Sequence, residues 1–267
     1  MSRAPAVAGR FYPGHPDELR AVIDDYLDHQ AALEPALAAV CPHAGYVFSG
    51  PVAGKVLSRI KIPERVMVLG PNHQGLGQRA ALMSRGTWLT PLGEATLDAE
   101  LGSALLQASS LVSEDDLAHR HEHSLEVQVP FLQVLRPDLK LTPLCLSLLN
   151  YAQCVDLGRA VAEAIAQVGQ PVLLVASTDM THYESAEHAQ SKDELALGRI
   201  LELDPEGLYH TVAGRNISMC GVLPTTVVLV AAKEMGATSA ELVAYTNSGQ
   251  VTGDYEQVVA YAGLIIK

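Results

Sequence analysis

The stretch Val172-Leu-Leu-Val-Ala-Ser177, running on into Thr178-Asp-Met-Thr-His182, decides how the rest of the chain is read. Its apolar residues are consecutive and do not alternate, the pattern of a strand covered on both faces. Ala36–Cys41, Arg65–Leu69, Ala80–Ser84, Leu139–Leu144, Leu242–Thr246 and Val258–Ile266 read the same way. Helical spacing fills the intervals at Pro16–His29, Pro51–Ile60, Asp98–Ala108, Ser124–Leu135, Tyr151–Val168, Ser185–Leu201 and Met219–Met235. Strands alternating with helices predict an α/β fold, a mostly parallel or mixed central sheet with helices on both faces. Ser49 before Pro51 and Ser218 before Met219 are expected caps, and Gly236 an expected helix stop. Ser84 to Thr96 is expected as a long irregular connection, and no linker or repeat divides residues 1–267, so one domain is expected.

Composition narrows the function classes. Of the 267 residues 48% are hydrophobic and 18% charged, enough for a large core and unlike a disordered chain. The net charge of −12 disfavours nucleic acid and anionic membrane as partners. Four cysteines, Cys41, Cys145, Cys154 and Cys220, are too few for a disulfide scaffold and include no CxxC pair, so reduced thiols and a cytoplasmic location are expected. Gly9, Arg10 and Pro13 interrupt the N-terminal region, which does not read as a secretion signal. The charge-free stretch from Asn216 to Ala232 contains Pro224, Thr225 and Thr226 and reads as a buried helix, not a membrane span.

Three strand exits carry histidine: Cys41-Pro-His43-Ala-Gly-Tyr46, Gly70-Pro-Asn72-His73, and Ser177-Thr-Asp179-Met-Thr-His182. In open α/β sheets the carboxyl ends of strands bound the ligand crevice. His43 and His73 stand one strand-helix-strand unit apart, so neighbouring parallel strands would bring both imidazoles to one edge as metal ligands. Cys220, at the expected start of the Met219 helix, is the candidate third ligand, because free amides there favour thiolate; a small buried core residue is the alternative. Asp179 and His182 are candidate orienting acid and general base. The segment His119-Arg-His-Glu-His-Ser-Leu-Glu126 is not HExxH. Within it His123 and Glu126 are candidates for supporting the ligands or facing substrate, with a helix-capping cluster as the alternative. Tyr46 and Asn72 are expected in the same role. No nucleotide-binding glycine pattern and no GxSxG elbow occurs.

Taken in order, these motifs resemble the Memo family, which includes proteins called AmmeMemoRadiSam system protein B. The resemblance is carried by Arg3-Ala-Pro-Ala-Val-Ala-Gly-Arg-Phe-Tyr-Pro-Gly14, Pro42-His-Ala-Gly-Tyr46 with Ser49-Gly-Pro51, Gly70-Pro-Asn-His73 and Thr90-Pro-Leu-Gly93. Further on it rests on Glu122-His-Ser-Leu-Glu-Val-Gln128, Ser177-Thr-Asp-Met-Thr-His-Tyr183, Cys220-Gly221, Ser248-Gly249 and Gly253-Asp254. It implies a fold similar to the class III extradiol ring-cleavage dioxygenases (LigB-like), whose two histidines and one glutamate bind Fe(II) while another histidine acts as acid and base. In Memo-like proteins a cysteine takes the glutamate position. Carried over, His43, His73 and Cys220 would be ligands, with His182 the acid/base. Many relatives have a further histidine where this chain has Gln74. Fe(II) is the expected metal, with Cu or Zn as alternatives because thiolate suits softer ions.

Three functions follow from that resemblance and those donors. The first is a dioxygenase-like oxidoreductase acting on a small organic or aromatic substrate. The others are a non-catalytic regulatory or peptide-binding protein and a zinc-dependent hydrolase. The family name further implies a radical S-adenosylmethionine enzyme and an AMMECR-type protein as partners.

Overall fold

Residues 2–267 are described by a computed structural model. The first half runs β1 (Ser2–Arg3), α1 (Pro16–Tyr26), β2 (Ala38–Cys41), α2 (Tyr46–Leu57), β3 (Arg65–Pro71), β4 (Ala80–Leu82), β5 (Thr87–Thr90), β6 (Gly93–Leu97), α3 (Ala99–Ala108) and β7 (Ser113–Glu114). A 3-10 turn at Glu126–Gln128 leads into α4 (Val129–Leu135), β8 (Lys140–Leu146), α5 (Tyr151–Val168), β9 (Val172–Ser177) and β10 (His182–Glu184). The chain ends with α6 (Ala186–Leu201), α7 (Pro205–Gly214), α8 (Val222–Glu234), β11 (Ala240–Asn247), α9 (Gly249–Thr252) and β12 (Val258–Ile266).

The strands form one mixed sheet in the order β1-β5-β6-β8-β3-β9-β2-β12-β10, with β11 on β12 and β4 on β8 and β7. Its centre, β8-β3-β9-β2, is parallel throughout, and β12 closes on β2 in the antiparallel sense. Every residue of β2, β3 and β9 is buried, which is why their sequences are apolar without alternation. Successive side chains feed opposite faces. Val40, Met67, Leu69, Leu174 and Ala176 pack into the core that includes α3, α5 and α8, while Ala39, Val66, Val68, Leu173 and Val175 pack into the core that includes α1, α2 and α4. The long apolar helix α8 is buried from Pro224 to Ala232. Among the described residues no helix is long and apolar enough to cross a membrane.

Several boundaries differ from the sequence reading. Helix α2 begins at Tyr46 with Gly45 as its cap, so Pro51 lies inside it; the Ser49 hydroxyl donates back to the Ala44 carbonyl at 2.6 Å and caps nothing. Pro51 removes one helical N–H. Helix α8 starts at Val222, not Met219, because Cys220-Gly221 bends across Thr178; Gly221 N–H donates to Thr178 Oγ1 at 2.9 Å. Ser218 instead accepts the His182 N–H at 2.7 Å. Ser84 to Thr96 is not irregular: it holds the antiparallel pair β5–β6 turning at Pro91-Leu92. Helix α7 is an addition to the expected helices; Asp204 caps it by accepting from Gly207 N at 2.8 Å and Pro205 opens it.

Candidate metal centre at the carboxyl ends of the strands

His43 leaves the end of β2, His73 the end of β3 and Asp179 the end of β9. Strands β2 and β3 are not neighbours, since β9 lies between them. Two inter-strand steps span about 10 Å, and the rings close that gap by leaning over β9, where Ser177 and Thr178 are small. The His43 and His73 centroids are 5.2 Å apart and edge-on. His123, from the loop before α4, completes the group: its ring stacks on His73 at 4.6 Å and lies 5.5 Å from His43. One ring nitrogen from each of His43, His73 and His123 can be chosen so that all three lie within 4.8 Å of one another. Phe11 covers the outer side of His123 at 4.8 Å.

Each ring is held from behind. Glu122, buried, accepts from His73 Nδ1 at 2.8 Å and from the His73 N–H at 2.6 Å. The same carboxylate accepts the His123 and Ser124 N–H groups at 3.0 and 2.9 Å. Burial works to raise the Glu122 pKa, but the His73 hydrogen bond and charge together with the Ser124 N–H hold it down to about 2. Burial, then the neighbouring rings of His73, His123 and His182, pushes the His43 pKa well below the usual histidine value. Burial lowers His123 and His182 too. Neutral imidazoles are what a metal requires.

Cys220, expected as the third ligand, contacts one member of the group, His43, and is not among the donors that converge within 4.8 Å, a place His123 takes instead. The Cys220 Sγ lies 3.2 Å from His43 Nε2 and accepts the Asp179 N–H at 3.2 Å. The sequence reading expected helix-start amides to favour thiolate. Instead the residue precedes the α8 cap, and burial, followed by the charge of Asp179, pushes the thiol pKa up. Burial here thus favours the neutral thiol over the thiolate. Gly221 makes the approach feasible, because a Cβ there would collide with the Thr178 side chain and the Ser177 carbonyl.

Other candidates take up different partners. Asp179 does not orient His182: its Oδ1 accepts the His43 N–H at 2.7 Å, and burial raises its pKa to about 7. His182 Nδ1 bonds to the Met180 carbonyl at 2.7 Å. A carbonyl only accepts, so Nδ1 carries the proton and Nε2 of the neutral ring keeps its lone pair. Asn72 ties the turn after β3, donating to the Leu76 carbonyl at 2.6 Å and accepting from Gly75 N at 2.8 Å. Tyr46 lies in the core between Tyr12 and Phe131, its hydroxyl on the Val127 carbonyl at 2.7 Å. Glu126 holds the N-terminal segment and does not face the crevice as a substrate contact: it accepts from Arg3 and Tyr12 and from the Ala6 and Val7 amides. Arg3 in turn donates to the carbonyls of His119 and Glu122 at 2.7 Å each. The N-terminal segment thus clamps the loop that carries Glu122 and His123.

Fold and donors together define an α/β protein with an imidazole cluster at the carboxyl ends of parallel strands. The family follows from comparison: residues 3–265 match the Memo-like protein family, and the chain belongs to it. It is 42% identical to a MEMO1 family protein of Methanopyrus kandleri over 283 residues, covering 100% of this chain and 99% of that one. It is 43% identical to a MEMO1 family protein of Aquifex aeolicus over 266 residues, covering 98% of each. Among solved structures, an uncharacterized protein of Escherichia coli K12 shares the fold with a TM-score of 0.56 at 16% identity, covering 85% of this chain and 98% of that one.

Proposed function

We propose that the crevice is a mononuclear metal centre held by His43, His73 and His123 with Cys220 as a further donor. In our reading it is loaded with Fe(II) and used for oxidoreductase chemistry on a small organic molecule. The observation that carries this is the convergence of three imidazoles within 4.8 Å. Their chemistry fits a borderline transition ion, and Glu122 behind His73 is the carboxylate-histidine arrangement that orients metal ligands. When bound, such an ion supplies redox and Lewis-acid chemistry.

The chain's own residues supply the remainder. His182, with a bare Nε2 and a pKa lowered by burial, accepts a proton from a hydroxyl of the substrate and returns it later. Asp179, raised to about 7, holds the His43 backbone and limits the charge buried beside the cluster. Phe11 over His123 offers an apolar wall to the organic part. Anaerobic Fe(II) loading followed by turnover of catechol analogues tests the reading. Turnover lost in His182→Ala with metal content intact supports it; wild-type turnover no greater than that of His43→Ala sinks it.

A second reading rests on Cys220. A thiol 3.2 Å from His43 Nε2 suits Cu(I) or Zn(II), and zinc would make the centre hydrolytic. Elemental analysis of protein purified without added metal separates the two.

A further inference from the structure

Ser177, the last residue of β9, has a hydroxyl with three neighbours and one proton. Its Oγ lies 2.6 Å from the Ser124 carbonyl, 2.9 Å from Gln128 Nε2 and 3.0 Å from His43 Nδ1. The carbonyl can only accept, so the Ser177 proton goes there. Gln128 Nε2 also donates to the Pro42 carbonyl at 2.8 Å, which fixes the amide with nitrogen toward both partners. Two lone pairs on Ser177 Oγ remain; Gln128 fills one and His43 must fill the other as donor.

We infer that Ser177 and Gln128 are positioning residues that lock His43 in the Nδ1–H tautomer and turn a bare Nε2 toward the crevice. Both side chains are essentially inaccessible, so no water substitutes for either. The device parallels Glu122 on His73, with a neutral hydroxyl in place of a carboxylate. That difference matters, because a further buried carboxylate would add charge to a site that already holds Glu122 and Asp179. The metal-affinity consequence rests on the metal-centre reading above; the tautomer does not.

The test is 15N-detected NMR of the histidine rings in the metal-free protein at neutral pH, combined with Zn(II) titration against a chromophoric chelator. Wild-type His43 is expected as Nδ1–H. In Ser177→Ala the Nε2–H form should appear and Zn(II) affinity fall roughly ten- to a hundredfold, while His73, held by Glu122, keeps its tautomer. Ser177→Thr, which retains the hydroxyl, should restore the wild-type ring signal. Gln128→Leu should shift the His43 signal in the same direction as Ser177→Ala. Wild-type His43 in the Nε2–H form overturns the inference even if no variant folds, as does an unchanged ring in folded Ser177→Ala. Nδ1–H in wild type with no Zn(II) binding would uphold the lock and sink the metal centre.

Discussion

Cys220 Sγ lies 3.2 Å from His43 Nε2, although 177 positions separate the two residues in the chain. If His43 carries its proton on Nδ1, as inferred above, Nε2 is an acceptor for the thiol, which also faces the Asp179 carbonyl at 3.6 Å, and a metal that uses both atoms must displace the thiol proton. Metal uptake should therefore release a proton from Cys220 if sulfur is a ligand. Co(II) titration in weak buffer checks this: wild type should show a sulfur-to-cobalt charge-transfer band and proton release, and Cys220→Ala should bind Co(II) without the band.

Gly221 permits that contact. Gly221→Ala places a methyl against Thr178 and the Ser177 carbonyl, and overpacking of this kind costs about 1–3 kcal/mol. Urea denaturation should show the loss, and the Co(II) spectrum should lose its sulfur band even where the protein stays folded.

Arg3 and Glu126 form a buried pair at 2.7 Å that anchors the N-terminal segment to the His123 loop. Glu126→Ala leaves Arg3 uncompensated under Trp88, and breaking a buried pair costs about 3–5 kcal/mol. Denaturation of Glu126→Ala, Arg3→Met and the double variant should show that the double costs less than the sum of the singles.

His119 sets a pH dependence outside the crevice. Burial pushes its pKa down to about 4, and its Nε2 bonds to the Ala81 carbonyl at 3.0 Å. Below the ordinary histidine pKa of about 6.5 the unfolded chain takes up a proton that the folded protein refuses, so stability falls as pH drops from about 6.5 to about 4. The loss attributable to this ring is about 3 kcal/mol. Unfolding of wild type and His119→Gln across that range should give a shallower pH slope for the variant.

The parallel centre of the sheet was legible because its strands, buried on both faces, are apolar over most of their length with polar residues mainly at the ends, and β9 and β12 match their expected bounds. Helix α7 and the β5–β6 hairpin were not: α7 buries only Pro205, Leu208 and Val212 and so shows a sparse apolar stripe, and the hairpin strands are short and set by turn chemistry more than by periodicity. For the site, His43, His73, Cys220 and the His182 loop were visible as strand exits and a helix approach. His123 reads from the sequence as supporting the ligands, facing substrate or capping a helix, and it stands among the potential metal donors because the Arg3–Glu126 clamp, a contact across 123 positions, holds its loop at the site. Glu122 beside His123, Ser177 and Gln128 lay in quoted motifs with no assigned role; the usual carboxylate behind a metal-bound histidine was the available signal for Glu122. The hydroxyl network had no such signal, since it depends on three-dimensional proton accounting.

In the proposed centre, three imidazoles and a thiol at these strand ends hold one metal ion. Elemental analysis of anaerobically purified wild type beside His43→Ala, His73→Ala, His123→Ala and Cys220→Ala tests it most directly. Stoichiometric metal is expected in wild type, with near-complete loss in the His43 and His73 variants and weakened retention in the other two. Equal metal content in all five proteins would contradict it.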